Sequence, residues 1–102
     1  MKARFFGRMR KEPTKFKEKK AMLMKDTVEL MLSDNCNDRL KAEYWQTKIR
    51  YDRLHVMTIK YEAGVLEFEP KCSLELLNEQ KRQMGLYLHA LEVRAAIEGV
   101  DL

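Results

Sequence analysis

Seven side chains in one stretch, Lys41, Tyr44, Trp45, Lys48, Arg50, Tyr51 and Arg53, interleave cations with aromatic rings. A ring face stacks a nucleobase and a nearby cation holds a phosphate, so the pattern suits a nucleotide-like anion. Lys41, Trp45 and Lys48 fall within two helical turns on one side of a helix. The alternative is that Tyr44, Tyr51 and Tyr61 serve a core or a subunit interface, with Trp45 anchoring a neighbouring helix. Farther along, Arg82, Tyr87, His89 and Arg94 form a sparser set of the same kind. Gln80 lies one turn before Met84, where it can bond across an interface.

The residues of catalysis do not assemble in the same way. His55 and His89 are the only histidines and Cys36 and Cys72 the only cysteines, so no four-ligand zinc set stands at a recognised spacing. Each histidine reads as an ordinary helix residue. No glycine-rich phosphate loop, nucleophile elbow or HExxH motif is present. The carboxylates alternate with Lys and Arg, the pattern of a solvated helix face and not of a tuned acid–base pair. The expectation is a protein that binds without catalysis, needing neither metal nor cofactor.

Charge divides the chain in two. The net charge is +4, yet residues 1–20 carry nine Lys or Arg against Glu12 and Glu18, leaving the remainder negative. We read a basic arm over residues 1–12 and a three-helix domain over 13–102. Such an arm suggests an anionic partner, through contact with nucleic acid or a nuclease; the alternative is a solvated tail. No apolar run has signal-peptide or transmembrane length, and two unpaired cysteines make no disulfide framework. The expected location is a reducing cytoplasm, with no membrane contact.

The elements that must position these residues are helical: Lys, Glu, Leu, Met, Ala and Arg dominate, whereas Gly (4) and Pro (2) are scarce. A first helix is predicted over Lys15–Leu32, entered at Pro13-Thr14. Its apolar face comprises Leu23, Thr27 and Leu30 beside Ala21, Met24, Val28 and Met31. Ser33 to Asp38 break it and supply Asn37 or Asp38 as the next N-cap. A second helix over Arg39–Ala63, stopped by Gly64, shows alternating four-and-three spacing at Leu40, Tyr44, Thr47, Tyr51, Leu54, Thr58 and Tyr61. A flanking line of Trp45, Ile49, Val56, Ile59 and Ala63 implies that this helix faces more than one neighbour.

Val65–Cys72 reads as an extended connector whose Leu66 and Phe68 plug the end of the pair, with Pro70 preventing helix and Ser73 capping the next one. The third helix, Leu74–Glu98, buries Leu77, Met84, Leu88, Leu91 and Ala95 and ends at Gly99. Helices of about 25 residues, roughly 37 Å at 1.5 Å per residue, joined by a short connector predict an antiparallel hairpin. Cys36 and Cys72 then lie at opposite ends, beyond disulfide reach within one chain. The fold class expected is all-α: a short first helix on a long antiparallel hairpin, assembled as a homo-oligomer.

Arg53-Leu54 and Met57, then Leu76-Leu77-x-x-Gln80-x-x-x-Met84-x-x-Tyr87-x-x-x-Leu91-x-x-Arg94, carry a resemblance over about residues 40–98. The pattern resembles small phage proteins related to one first noted in crAss-type phages, a family that includes the anti-CBASS sponges of tailed phages. The resemblance implies helical subunits in a hexamer of interlocked dimers. These would sequester cyclic dinucleotides, or in some members trinucleotides, and so deny an infected bacterial host its alarm signal. It further implies a basic residue late in the first long helix on phosphate, for which Arg53 stands nearest. An earlier ring would stack on a base, a part for Tyr44 or Trp45. The ligand set expected is Lys41, Tyr44, Trp45, Lys48, Arg53 and Arg94. Two rival expectations stand beside it: an anti-CRISPR-like inhibitor acting through the basic arm, and a phage structural or assembly protein.

Overall fold

Gly64 and Gly99 take left-handed backbone conformations, with φ of 76° and 73°, and each ends a long helix. Glycine adopts that conformation without the Cβ penalty, which is why helices so often stop on it. In the computed structural model, which describes residues 21–102, the elements are α1 (Thr27–Met31), α2 (Cys36–Ala63) and α3 (Leu74–Glu98), with a 3₁₀ turn over Met24–Asp26. The described residues are all-helical and contain no strand. The predicted basic arm, residues 1–12, and the predicted helix start at Lys15 lie outside them.

Three local expectations need correcting. The apolar spacing predicts helix through 21–23, yet helical structure begins only at Met24. The Asp26 carboxylate accepts the Leu23 N–H at 2.9 Å, and this local bond fixes the start of the turn. The cap of α2 is Asn35, not Asn37 or Asp38, because the Asn35 side chain accepts the Asn37 N–H at 2.9 Å. Asp38 is engaged instead by the Ser33 hydroxyl at 2.8 Å, and Arg39 donates to the Ser33 carbonyl at 2.7 Å. In the connector, Phe68 is exposed and plugs nothing. It lines a shallow concavity with Tyr61, Leu66 and Pro70.

Ser73 caps α3 as expected, accepting the Leu76 N–H at 3.1 Å. The core lies between the long helices, where Leu40 and Tyr44 of α2 pack with Leu88, Leu91 and Ala95 of α3. Trp45, Tyr51, Val100 and Leu102 close over it. Burial of each large side chain there stabilises the fold by about 1.5–3 kcal/mol. The side chains that meet across the seam rise in number along α2 as they fall along α3. Tyr44 meets Glu92, His55 and Thr58 meet Lys81, and Glu62 meets Asn78. α1 packs on α2 through Thr27, which is fully buried; its hydroxyl donates to the Met24 carbonyl at 2.7 Å and accepts from Gln46 at 2.9 Å.

Two lines of α3 share the same spacing and meet opposite fates. Leu88, Leu91 and Ala95 face the core and are buried, and Met84 begins the same line half-buried at its edge. Leu86, Ala90, Val93 and Ile97 also recur four, three and four residues apart, and all four are exposed. Because each residue advances about 100° around a helix, this second stripe lies on the side of α3 away from the core. On α2, Val56 and Ile59 are likewise exposed. The described helices include none long and apolar enough to cross a membrane.

Candidate functional site

Of the six residues expected to hold a ligand, the structure groups some and separates others. Lys41, Trp45 and Lys48 share one side of α2 and are each half-buried. Tyr44 is a core residue: only 7 % exposed, its hydroxyl donates to Glu92 at 3.0 Å. Its ring meets Trp45 edge-on, with centroids 5.2 Å apart. Burial, followed by the Glu92 carboxylate, pushes the Tyr44 phenol up to about 12. A ring so enclosed presents no face for stacking, so its part in the candidate set passes to other rings. Arg53 is exposed, but it follows Lys48 by five residues and so sits about 140° around the helix from it. Arg94 is exposed on α3 and pairs with Glu98 at 3.3 Å.

The strip that does assemble runs along α2 and crosses to α3. Lys48 Nζ lies 5.8 Å from the centroid of the Tyr51 ring, within cation–π range, and also pairs with Asp52 at 3.1 Å. The Tyr51 and His55 rings, one turn apart, are parallel to within 3° at a centroid distance of 6.3 Å. Beyond His55, Lys81 reaches across from α3: Nζ donates to His55 Nδ1 at 3.1 Å and to Thr58 Oγ1 at 3.0 Å. Thr58 is fully buried, and its own hydroxyl proton goes to the His55 carbonyl at 2.9 Å. An ammonium has no lone pair, so Nδ1 must be the acceptor and the ring proton must lie on Nε2. Gly85 stands opposite Tyr51; a Cβ there would lie 3.7 Å from the ring, an ordinary contact.

Four side chains, Lys48, Tyr51, His55 and Lys81, therefore form a line of cation, ring, ring and cation. The sequence pattern includes Lys48 and Tyr51, but it gives His55 an ordinary helix position and does not include Lys81. The cation–aromatic spacing along α2 is the available signal for the first pair. The second pair spans 26 residues, and no local pattern announces it.

On another side of α3, Leu76, Gln80, Gln83, Met84 and Tyr87 line a shallow groove. Gln80 Nε2 lies 3.8 Å from Met84 Sδ, so its amide turns along its own helix. Glu79 receives both Arg82, at 2.7 and 3.1 Å, and Gln83, at 2.9 Å. The Arg82 bonds first, and then Gln83, hold the Glu79 carboxyl down at about 2. This network is internally satisfied and exposed, the character of a solvated helix face. Cys36 and Cys72 are free thiols, both exposed.

Neither a curated protein nor a solved structure matches this chain. The sequence profile described as Sequestin matches residues 34–97. That span takes in α2, the connector and all but the last residue of α3, more than half of the chain and every residue of the cation–ring strip. The chain belongs to the Sequestin family.

Proposed function

We propose that the protein sequesters a cyclic di- or trinucleotide immune signal without turning it over, acting as a phage counter-defence sponge in the cytoplasm of an infected bacterium. Membership of a family named for sequestration supports the reading, and one observation carries it to this ligand class: the Lys48–Tyr51–His55–Lys81 strip. Rings suit bases, ammonium groups suit phosphates, and tight binding alone is enough to remove a signal. No step in this reading calls for a nucleophile, a metal or a cofactor.

The two long helices act in this reading as an antiparallel hairpin within a homo-oligomer, a hexamer being the arrangement that the family resemblance implies. The exposed stripe of Leu86, Ala90, Val93 and Ile97 is where we place contact between copies. The partner is a second copy because the single chain buries only seven hydrophobic residues among those described. So small a core favours association as part of folding. A lone monomer at high concentration in sedimentation equilibrium would contradict that contact.

Isothermal calorimetry against cyclic di- and trinucleotides and ADP-ribose-type signals tests the ligand. Saturable binding of a cyclic nucleotide is expected, and silence across the cyclic panel would overturn the reading. The charge of residues 1–20 favours one second reading, an inhibitor that engages nucleic acid or a nuclease through the basic arm. That reading requires steeply salt-dependent activity that is lost when residues 1–12 are removed.

A further inference from the structure

Three glycines fall among the described residues, and two of them, Gly64 and Gly99, stop helices at positive φ. The third, Gly85, stands near the middle of α3. Its φ is not positive, so no turn requires it. Apart from proline, glycine is the poorest helix former, because its backbone has the most freedom to lose. Packing does not require it either. Beyond its immediate helix neighbours, a Cβ at this position would meet the Tyr51 ring alone, 3.7 Å from Cε1 and 3.9 Å from the hydroxyl oxygen. Both are ordinary contacts, so alanine would fit the described chain and hold the helix better. The place a side chain would take is open on every side but that of the ring, and Gly85 itself is half-buried at the seam. That ring is the one beside Lys48, and Lys81 lies one turn earlier on α3. The missing side chain thus falls inside the cation–ring strip.

We infer that Gly85 is the gap in α3 through which a bound ligand reaches the Tyr51 ring, and that its lack of a side chain sets the size of the group admitted. The inference rests on the sequestration reading and deepens it by naming a specificity residue. A nucleobase is the class of group that suits the gap, because its wall is an aromatic ring and Lys48 stands beside that ring for an attached phosphate. Alanine at this position would put a methyl group where the edge of a base comes to the ring, and leucine would fill the gap. The helix gives up local stability here, and what it gains is access.

The test uses the full-length protein with ¹³C-labelled tyrosine rings, following Tyr51 with the buried Tyr44 as internal reference. Adenosine 5′-monophosphate at millimolar concentration and cyclic di-AMP are added in separate titrations, and each should shift the Tyr51 ring signals of the parent. Gly85→Ala should raise the melting temperature yet weaken cyclic di-AMP several-fold, and Gly85→Leu should weaken it about tenfold or more. A glycine with a merely structural role would not move stability and affinity in opposite directions. Sedimentation equilibrium should give the parent and both variants one mass; a change of mass in Gly85→Leu would make the gap a contact between copies and overturn the inference. If cyclic di-AMP binds but Tyr51 stays silent and Gly85→Leu binds equally well, the gap is wrong while sequestration stands. If the mononucleotide shifts Tyr51, Gly85→Leu abolishes that shift and no cyclic nucleotide binds, the gap stands and the sequestration reading fails. If neither probe moves Tyr51, the gap is refuted.

Discussion

Of the polar crossings that join α2 to α3, two are built to opposite ends. At one, the Tyr44 hydroxyl donates to the Glu92 carboxylate, next to Leu40, Leu88 and Leu91. One donor meets one acceptor, and the phenol's single O–H is spent there. At the other, Lys81 meets the His55 ring and the Thr58 hydroxyl, both neutral, and leaves charge and donors over. The first crossing closes the core, and the second keeps a positive group in reserve beside a pair of parallel rings. A polar contact between helices is thus no guide to function until its donors and acceptors have been counted.

The comparison breaks hardest where both crossings depend on the same packing. Leu91 is 2 % exposed and lies in the cluster that spaces the helices. Leu91→Ala should cost ~2–5 kcal/mol of stability in urea denaturation. Lys81→Met should separate the two crossings: affinity for the cyclic nucleotide falls while the melting temperature changes little. The opposite pattern is expected of Tyr44→Phe, which should cost about 0.5–1.5 kcal/mol at neutral pH and leave affinity unchanged.

That variant also carries a pH signature. The folded-state phenol of Tyr44 is raised from 10 to about 12, so its contribution is whole below pH 10 and is lost as pH climbs toward 12. Tyr44→Phe should remove this alkaline loss in denaturation curves taken across that range. The smallest effect belongs to the exposed network on α3. Arg82→Gln should return the Glu79 carboxyl from about 2 toward the ordinary carboxylate value of 4.5 in an NMR titration, with binding unchanged.

Much of this fold is legible in the residues because its boundaries are set locally. Gly64, Ser73 and Gly99 stop and start the helices through their own backbone and side-chain chemistry. The four-and-three spacing of Leu40, Tyr44 and Thr58 marks the inner face of α2. The N-cap is misplaced by sequence reasoning because the run from Ser33 to Asp38 contains several competent caps. The choice of Asn35 depends on Asp38 being taken by Ser33.

The binding surface is harder to read for a different reason. Tyr44 and Tyr51 are equivalent in the pattern, and only the packing of Leu88 and Leu91 encloses the first while the second keeps Lys48 beside it. Lys81 joins His55 through the register of two helices, which depends on how whole faces interlock. The exposed stripe of Leu86, Ala90, Val93 and Ile97 repeats the spacing of the buried line. One periodicity therefore describes both a core and a surface.

Sequestration means that the ligand is held and not changed, and this can be measured in one step. Purified protein is mixed with a cyclic nucleotide that binds in calorimetry, separated from free ligand by gel filtration, and heat-denatured. The released nucleotide is then identified by mass spectrometry. The account predicts that stoichiometric, chemically intact cyclic nucleotide returns to solution. Recovery of a linear or hydrolysed product, or of no nucleotide at all, would contradict it.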